Sequence, residues 1–248
     1  MKISIITVAY NSASTIRDTL ESIAKQDYPE IEHIIIDGKS KDDTLKIVSE
    51  FPHVSKVVSE PDKGLYDAMN KGLKQATGDI VGILNSDDVY NHTDVISKVM
   101  SAFVNQNVAC IYGDLQYVKQ NDLSKVVRTW RSGKFRYKKF LYGWMPPHPA
   151  FFVKREVYEK VGGFVTDLRS AADYEIMLRI LYKHKYSCAY LPEVLVRMRT
   201  GGASNASIKN RLKANLEDRK AWKLIQKKPH FFTLYLKPLR KISQFIFK

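Results

Sequence analysis

Residues 59–88 read SEPDKGLYDAMNKGLKQATGDIVGILNSDD: a loop, an amphipathic helix, a glycine turn and a buried strand in succession. Leu65, Met69, Leu73 and Ala76 recur at helical spacing, so one face of the helix seeks a core. Gly78 stops the helix, and 80–84 is a short apolar run of the kind that fills a parallel sheet. A strand that delivers Asn85, Ser86, Asp87 and Asp88 from its carboxyl end puts them where open α/β sheets bind ligands. Carboxylates crowded there repel one another unless positive charge compensates them. The expectation is a divalent metal that holds a phosphate-bearing ligand.

The same rhythm extends upstream. Apolar strands over 3–8, 32–37 and 54–59 alternate with helices that carry Ile16, Leu20 and Ile23, then Leu45, Ile47 and Val48. Such alternation implies βαβ units, hence an α/β fold with a mainly parallel central sheet. Downstream the spacing predicts a helix over 93–103, a strand over 109–112 and a hairpin of 116–118 with 126–130. An aperiodic basic and aromatic stretch, 131–147, follows. A strand over 148–153, helices over 155–161 and 171–184, and a last strand over 194–198 complete this part. Beyond a polar turn at 201–206 the chain reads as two helices, 207–226 and 231–247, with Pro238 kinking the second.

A chain of 248 residues accommodates one substantial α/β domain and an appendage. The net charge is +14, of which +10 falls between Gly201 and Lys248, where twelve Lys/Arg face only Glu217 and Asp218. That leaves +4 for the first 200 residues: a near-neutral domain, 1–200, with halves 1–90 and 91–200, and a basic tail, 201–248. A basic tail suits a polyanionic surface, either nucleic acid or an anionic membrane leaflet. Over 231–248 aromatics on one side and Lys/Arg on the other predict either an interfacial helix or one docked on the domain. Cys110 and Cys188 sit in apolar strand contexts and read as reduced, buried thiols. Met1 leads straight into a strand, with no leader pattern or membrane-spanning run, so the expectation is a cytoplasmic protein on the inner face of the cell membrane.

Four motifs, in order and spacing, carry a resemblance: SIITVAYN at 4–11, IIIDGKSKDDT at 34–44, the 59–88 stretch, and AADYEIMLRI at 171–180 after the GGF of 162–164. Together they resemble the inverting family 2 glycosyltransferases of GT-A fold, nearest to small bacterial enzymes that build O-antigen, capsule or exopolysaccharide units. The resemblance implies a nucleotide-sugar donor, UDP-linked by preference, with Mg²⁺ or Mn²⁺ as cofactor. The basic tail, which would park the chain where such lipids are presented, suggests a polyprenyl-diphosphate-linked glycan as acceptor. It implies that Asp37 reads the base, with Thr7, Ala9, Tyr10 and Asn11 lining the same pocket. Asp62, Lys63 and Gly64 belong to the signature, and Gly38, Ser40 and Gly64 permit close backbone approach. An Asp-Gly pair also commonly caps a turn.

Where the family has Asp-x-Asp, this chain has Asn85-Ser86-Asp87 followed by Asp88. The amide can bond ribose but brings no charge, so Asp87 is the expected metal ligand. Asp173 matches the catalytic aspartate; near a helix start it can serve as base, as a plain cap, or both. Glu175 is a secondary choice. His148 is expected on the acceptor side, and Arg199 as a clamp on the diphosphate. Two other readings compete. A nucleotidyltransferase would show a Gly-rich phosphate loop after its first strand, which VAYNSAST lacks. A nucleic-acid binder would interleave its tail aromatics as stacking platforms, whereas these sit on an apolar face, so no nucleic-acid partner is expected.

Overall fold

The computed structural model describes residues 1–201, 208–240 and 244. Strands β1 (Ile3–Ala9), β2 (Ile31–Asp37), β3 (Val54–Ser59) and β4 (Ile80–Ile83) alternate with helices α1 (Ile16–Ala24), α2 (Thr44–Ser49) and α3 (Leu65–Gln75). They pair in parallel in the order β3-β2-β1-β4, as the alternation predicts. The Ile34-Ile35-Ile36 run is apolar throughout because both faces of β2 are covered. Ile34 and Ile36 join the core beneath α3, and Ile35 joins Ile16, Leu20 and Val48 on the opposite face.

Past β4 the sheet becomes mixed. Strands β5 (Asp88–Tyr90), β6 (Cys110–Lys119), β7 (Asp122–Trp130), β8 (Phe151–Lys154) and β9 (Cys188–Arg199) extend it in the order β4-β8-β6-β9-β5, with β7 also on β6. Here β6 and β9 are parallel, and the other new pairings are antiparallel. Helix α4 (Val95–Gln106) buries Val95, Ile96, Val99, Met100 and Phe103 on the face that also holds Ile3, Ile5 and Ile80. Helices α5 (Arg155–Val161) and α6 (Ala172–Met177) lie on the α3 side, and α6 runs into a π-helical turn, Leu178–Lys183. Helices α7 (Ile208–Leu224) and α8 (Thr233–Leu239) follow.

Several expectations need correction. Of the four expected core positions of α3, Met69 and Ala76 are buried and Leu73 packs partly buried on the core, but Leu65, the first residue of the helix, is exposed, and Tyr66, Ala68 and Gly72 complete the inward face. His148 is not in a strand: 148–150 forms a short 3-10 turn, as two neighbouring prolines, Pro147 and Pro149, leave ladder donors missing. Of the second tail helix expected over 231–247, the described residues show α8, with Pro238 inside it; residues 241–243 and 245–247 of that expectation, and 202–206 of the expected turn, lie outside the described residues. The tail is also no separate layer. Ala221, Trp222, Ile225 and Leu234 belong to the same buried cluster as Ile6, Tyr112 and Tyr174. At Gly143, where φ is +72°, the backbone of Lys237 comes so close that a Cβ would lie 2.5 Å from its nitrogen. Only glycine meets both demands there.

Among the described residues no helix is long and apolar enough to cross a membrane.

Candidate active site

The carboxyl ends of β1, β2 and β4 meet on one edge of the sheet, where the chain order reverses from β1 toward β2 on one side and β4 on the other. Asp37 ends β2 fully buried. Its Oδ2 accepts the Ser40 N–H at 3.1 Å and the Ser59 hydroxyl at 2.6 Å, and its Oδ1 accepts the Ser40 hydroxyl. Ser40 in turn receives the Asn11 N–H at 2.8 Å, and Asn11 Oδ1 accepts the Lys41 N–H at 2.9 Å. The β1 and β2 loops are thereby stitched together. Asn11 (φ 48°) and Lys39 (φ 67°) hold left-handed backbone to make this turn.

Over Gly38 lies Asp62: a Cβ on the glycine would sit 2.4 Å from Asp62 Oδ2 and 3.3 Å from the Tyr10 ring. Asp62 also accepts the Gly64 N–H at 2.8 Å, and the Lys63 N–H bonds Asp67 at 3.0 Å. Tyr10 is 61% exposed, an open ring beside two carboxylates. Ala9 is buried and its carbonyl accepts the Gly38 N–H at 2.8 Å. Thr7, by contrast, is buried beneath the site with its hydroxyl 3.0 Å from His33 Nε2, so its side chain lines no pocket surface.

The turn after β4 brings Asn85, Ser86, Asp87 and Asp88 beside this pocket, with Ser86 Oγ 2.8 Å from Ser12 Oγ of the β1 loop. Burial pushes the Asp87 carboxyl up; burial and the Asp87 charge push Asp88 well up. Asn85 Nδ2 donates to Asp88 Oδ2 at 3.1 Å, while Asn85 Oδ1 and Asp88 Oδ1 are buried with no donor. The donor-less oxygens of Asn85 and Asp88, with the neighbouring Asp87 carboxylate, form an all-oxygen donor set, the chemistry that a hard divalent cation satisfies. Among the described residues no three His, Cys, Asp or Glu side chains converge on one point. A cation there would complete its shell from phosphate oxygens and water.

Across the cleft, Asp173 stands at the second position of α6, whose cap position is Ala171, so it is not the cap. Asp173 Oδ1 accepts the Tyr174 N–H at 2.8 Å and the Tyr66 hydroxyl at 3.3 Å. Burial, then the Asp173 charge, push the Tyr66 phenol far up, so it stays a proton donor. His148 is buried edge-on to Phe164; burial pulls its pKa down against the opposing pull of Asp173. Phe164 packs on both rings, 5.7 Å from Tyr66 and 5.5 Å from His148 between centroids, so the imidazole meets the phenol through it. Burial pushes the Tyr117 phenol up against the lowering pull of Arg128.

Two expected site residues are engaged elsewhere. Glu175 is 2% exposed and locked to Arg179, with Oε1 accepting from Nε at 3.0 Å and Oε2 from Nη2 at 2.6 Å. The same guanidinium holds the carbonyls of Val161, Gly162 and Gly163. Arg199 is buried too: it donates to the carbonyls of Asp87 at 2.8 Å and Gln120 at 2.9 Å, and to Asp18. It braces the acidic turn from behind instead of clamping a diphosphate, because β9 pairs with β5 and draws its last residue inward.

The family described as "Glycosyl transferase family 2" matches residues 4–162, well over half of the chain. The protein belongs to glycosyl transferase family 2. An uncharacterized glycosyltransferase of Mycobacterium tuberculosis is 34% identical over 180 residues, 71% of this chain and 68% of its own length. A "PGL/p-HBAD biosynthesis glycosyltransferase" of Mycobacterium bovis is 29% identical over 212 residues, 83% of this chain and 80% of its own. Among solved structures, Staphylococcus aureus TarS in complex with UDP-GlcNAc superposes with a TM-score of 0.72 at 21% identity, over 91% of this chain and 65% of that one. The mannosyltransferase PcManGT of Pyrobaculum calidifontis, in complex with GDP-Man and Mn²⁺, gives 0.68 at 22% identity, over 98% and 70%. At these identities the structural likeness is one of fold: GT-A, as the motifs imply. The chain spans about two thirds of the length of the first of these relatives in each comparison.

Within the family 2 frame, Tyr66 is the site residue that sequence reasoning passed over. Its place in GLYDAMNKG reads as one more inward helix position. Only its hydroxyl's hydrogen bond to Asp173, 107 positions away, sets it apart from the other inward residues of α3.

Proposed function

We propose that this family 2 protein transfers a sugar, with inversion, from a nucleoside diphosphate sugar to a hydroxyl of a glycan acceptor. The reading is supported above all by the acidic turn at Asn85–Asp88, with two buried oxygens that lack a donor, and by a separate carboxylate, Asp173, that accepts the Tyr66 hydroxyl. The base and ribose would lie against Tyr10, Asp37, Gly38 and Asp62, and the diphosphate over the Asn85–Asp88 turn. Asp87 would hold Mg²⁺ or Mn²⁺, with Asp88 beside it. When bound, the metal supplies positive charge to the departing diphosphate. Asp173 takes the proton from the acceptor hydroxyl, on the side of the sugar opposite the diphosphate. Tyr66 and neutral His148 keep that carboxylate aimed at the incoming oxygen.

A uracil nucleotide is the preferred donor; TarS and PcManGT, solved with UDP-GlcNAc and GDP-Man, define the two classes to compare. The acceptor of this proposal is a polyprenyl-diphosphate-linked glycan at the inner membrane face, a reading supported by the +10 tail. The family assignment sets the nucleotidyltransferase reading aside. The test is calorimetric titration of UDP- and GDP-sugars with Mn²⁺, with and without EDTA. One donor is expected to bind only with metal, and Asp87→Ala to lose that binding. Equal binding of a donor by wild type and Asp87→Ala would sink the metal assignment.

A further inference from the structure

Helix α7 has two faces of opposite character. Asp218, Ala221, Trp222 and Ile225 are buried on the catalytic domain. Steps of about 100° per residue put Leu216, Arg219, Lys220, Lys223 and Leu224 on the opposite arc, and these five, with Lys227 just past the helix, are exposed. Leu216 is 61% exposed and, a few residues past the helix, Phe231 is 87% exposed. A groove of about 440 Å³ opens at the end of α7, with Trp222 against it and Arg219, Lys223 and Lys227 around its mouth.

The acids of this segment do not neutralise the outer face. Glu217 accepts from the backbone of Arg169 at 3.1 Å and from the N–H and hydroxyl of Ser170 at 2.7 and 2.8 Å. Asp218 pairs with Lys237 at 2.6 Å. Over 214–231 the exposed ionisable groups therefore include Arg219, Lys220, Lys223, Lys227 and Lys228 and no carboxylate.

Cations interleaved with exposed aliphatic and aromatic side chains match a bilayer boundary, where headgroup phosphates meet the charges and acyl chains meet the apolar groups. A nucleic acid would engage the charges alone, since Leu216 and Leu224 offer no stacking plane. We propose that the outer face of α7 and the turn to Phe231 form the surface by which the protein docks on an anionic lipid bilayer. The inference rests on the lipid-linked acceptor reading and relocates its anchor. In α8, Thr233 and Leu234 are buried on the domain, so the face argued for docking is the outer arc of α7 together with Phe231. The inner face of the same helix grips the turn before Asp173, so docking sets which way the acceptor side of the cleft faces the lipid.

The test is co-sedimentation of the full chain with vesicles of phosphatidylcholine alone or mixed with phosphatidylglycerol, at low and high salt. Binding is expected only with phosphatidylglycerol, weakening with salt and falling ~10-fold or more in a Lys220→Glu/Lys223→Glu/Lys227→Glu variant. Leu224→Ser/Phe231→Ser, which leaves the charges in place, is expected to weaken it as well. Hydrolysis of the donor in solution should be unchanged in both. Wild-type binding that the charge reversal leaves intact, no binding to anionic vesicles, or preference for duplex DNA at the same salt would overturn the proposal. Loss of donor hydrolysis in wild type would count against sugar transfer and leave the vesicle result standing.

Discussion

Tyr66 of α3 donates to Asp173 of α6, and the Asp173 charge pulls against the burial of His148 in its proline-flanked turn. Asp173→Asn keeps the shape and removes the base, so kcat should fall ~10²- to 10⁴-fold with donor affinity unchanged, read by steady-state kinetics and calorimetry. Tyr66→Phe should lower kcat less, about tenfold, again without a change in donor affinity. A second prediction concerns His33, which lies under the nucleotide edge between Thr7 and His53, its Nδ1 3.1 Å from His53 Nε2. Burial, then the His53 charge, pull its pKa from 6.5 down to about 3. The unfolded chain therefore binds a proton that the folded one refuses between those values. Stability is full above about pH 6.5 and is lost as pH falls toward 3, by up to about 1.4 kcal/mol per pH unit. His53 and His148 shift in the same direction. Urea denaturation at stepped pH should show the slope, and His33→Asn should flatten it. The motifs that carry the family resemblance singled out Asp37, Asp62, Asp87 and Asp173 as candidates. Sequence reasoning misplaced Glu175 and Arg199, because a charge in a motif does not disclose its partner.

At the scale of elements, α6 is held from outside by the tail. Glu217 caps the 169–170 turn that leads into it, and Trp222 Nε1 donates to the Tyr174 hydroxyl at 3.0 Å. The Lys237 ammonium sits 3.6 Å over the Tyr174 ring. Asp173 lies between these two pinned neighbours. Glu217→Ala should therefore lower kcat on the order of tenfold while KM for the donor stays put, since a small tilt of α6 misaims the base. Glu217→Gln, which still accepts hydrogen bonds, should recover part of the loss; equal defects in both variants would sink this role. The boundaries of β1–β4 and α1–α3 were close to legible because apolar period and glycine punctuation agree there. Strand β5 was not: three residues, Asp88–Tyr90, become a strand only because β9 pairs with them.

For the molecule as a whole, α7 and α8 complete the core. They bury Ala221, Trp222, Ile225 and Leu234 among residues of the first 200, and a large apolar side chain contributes about 1.5–3 kcal/mol when buried. A chain ending at Gly201 should thus yield little soluble protein, with near-UV circular dichroism lost in what remains; a folded, active truncation would contradict this. By itself the sequence determined the α/β class, the parallel half of the sheet, the acidic turn at a strand end and the family. All of these are local in the chain, set by period, punctuation and short motifs. Only the tertiary structure decided that the second half of the sheet is mixed, that Tyr66 meets Asp173 and that Arg199 braces Asp87. It also decided that a basic tail is half core and half surface. Each of those depends on contacts between residues tens to well over a hundred positions apart, and partners at that distance leave no mark on local composition.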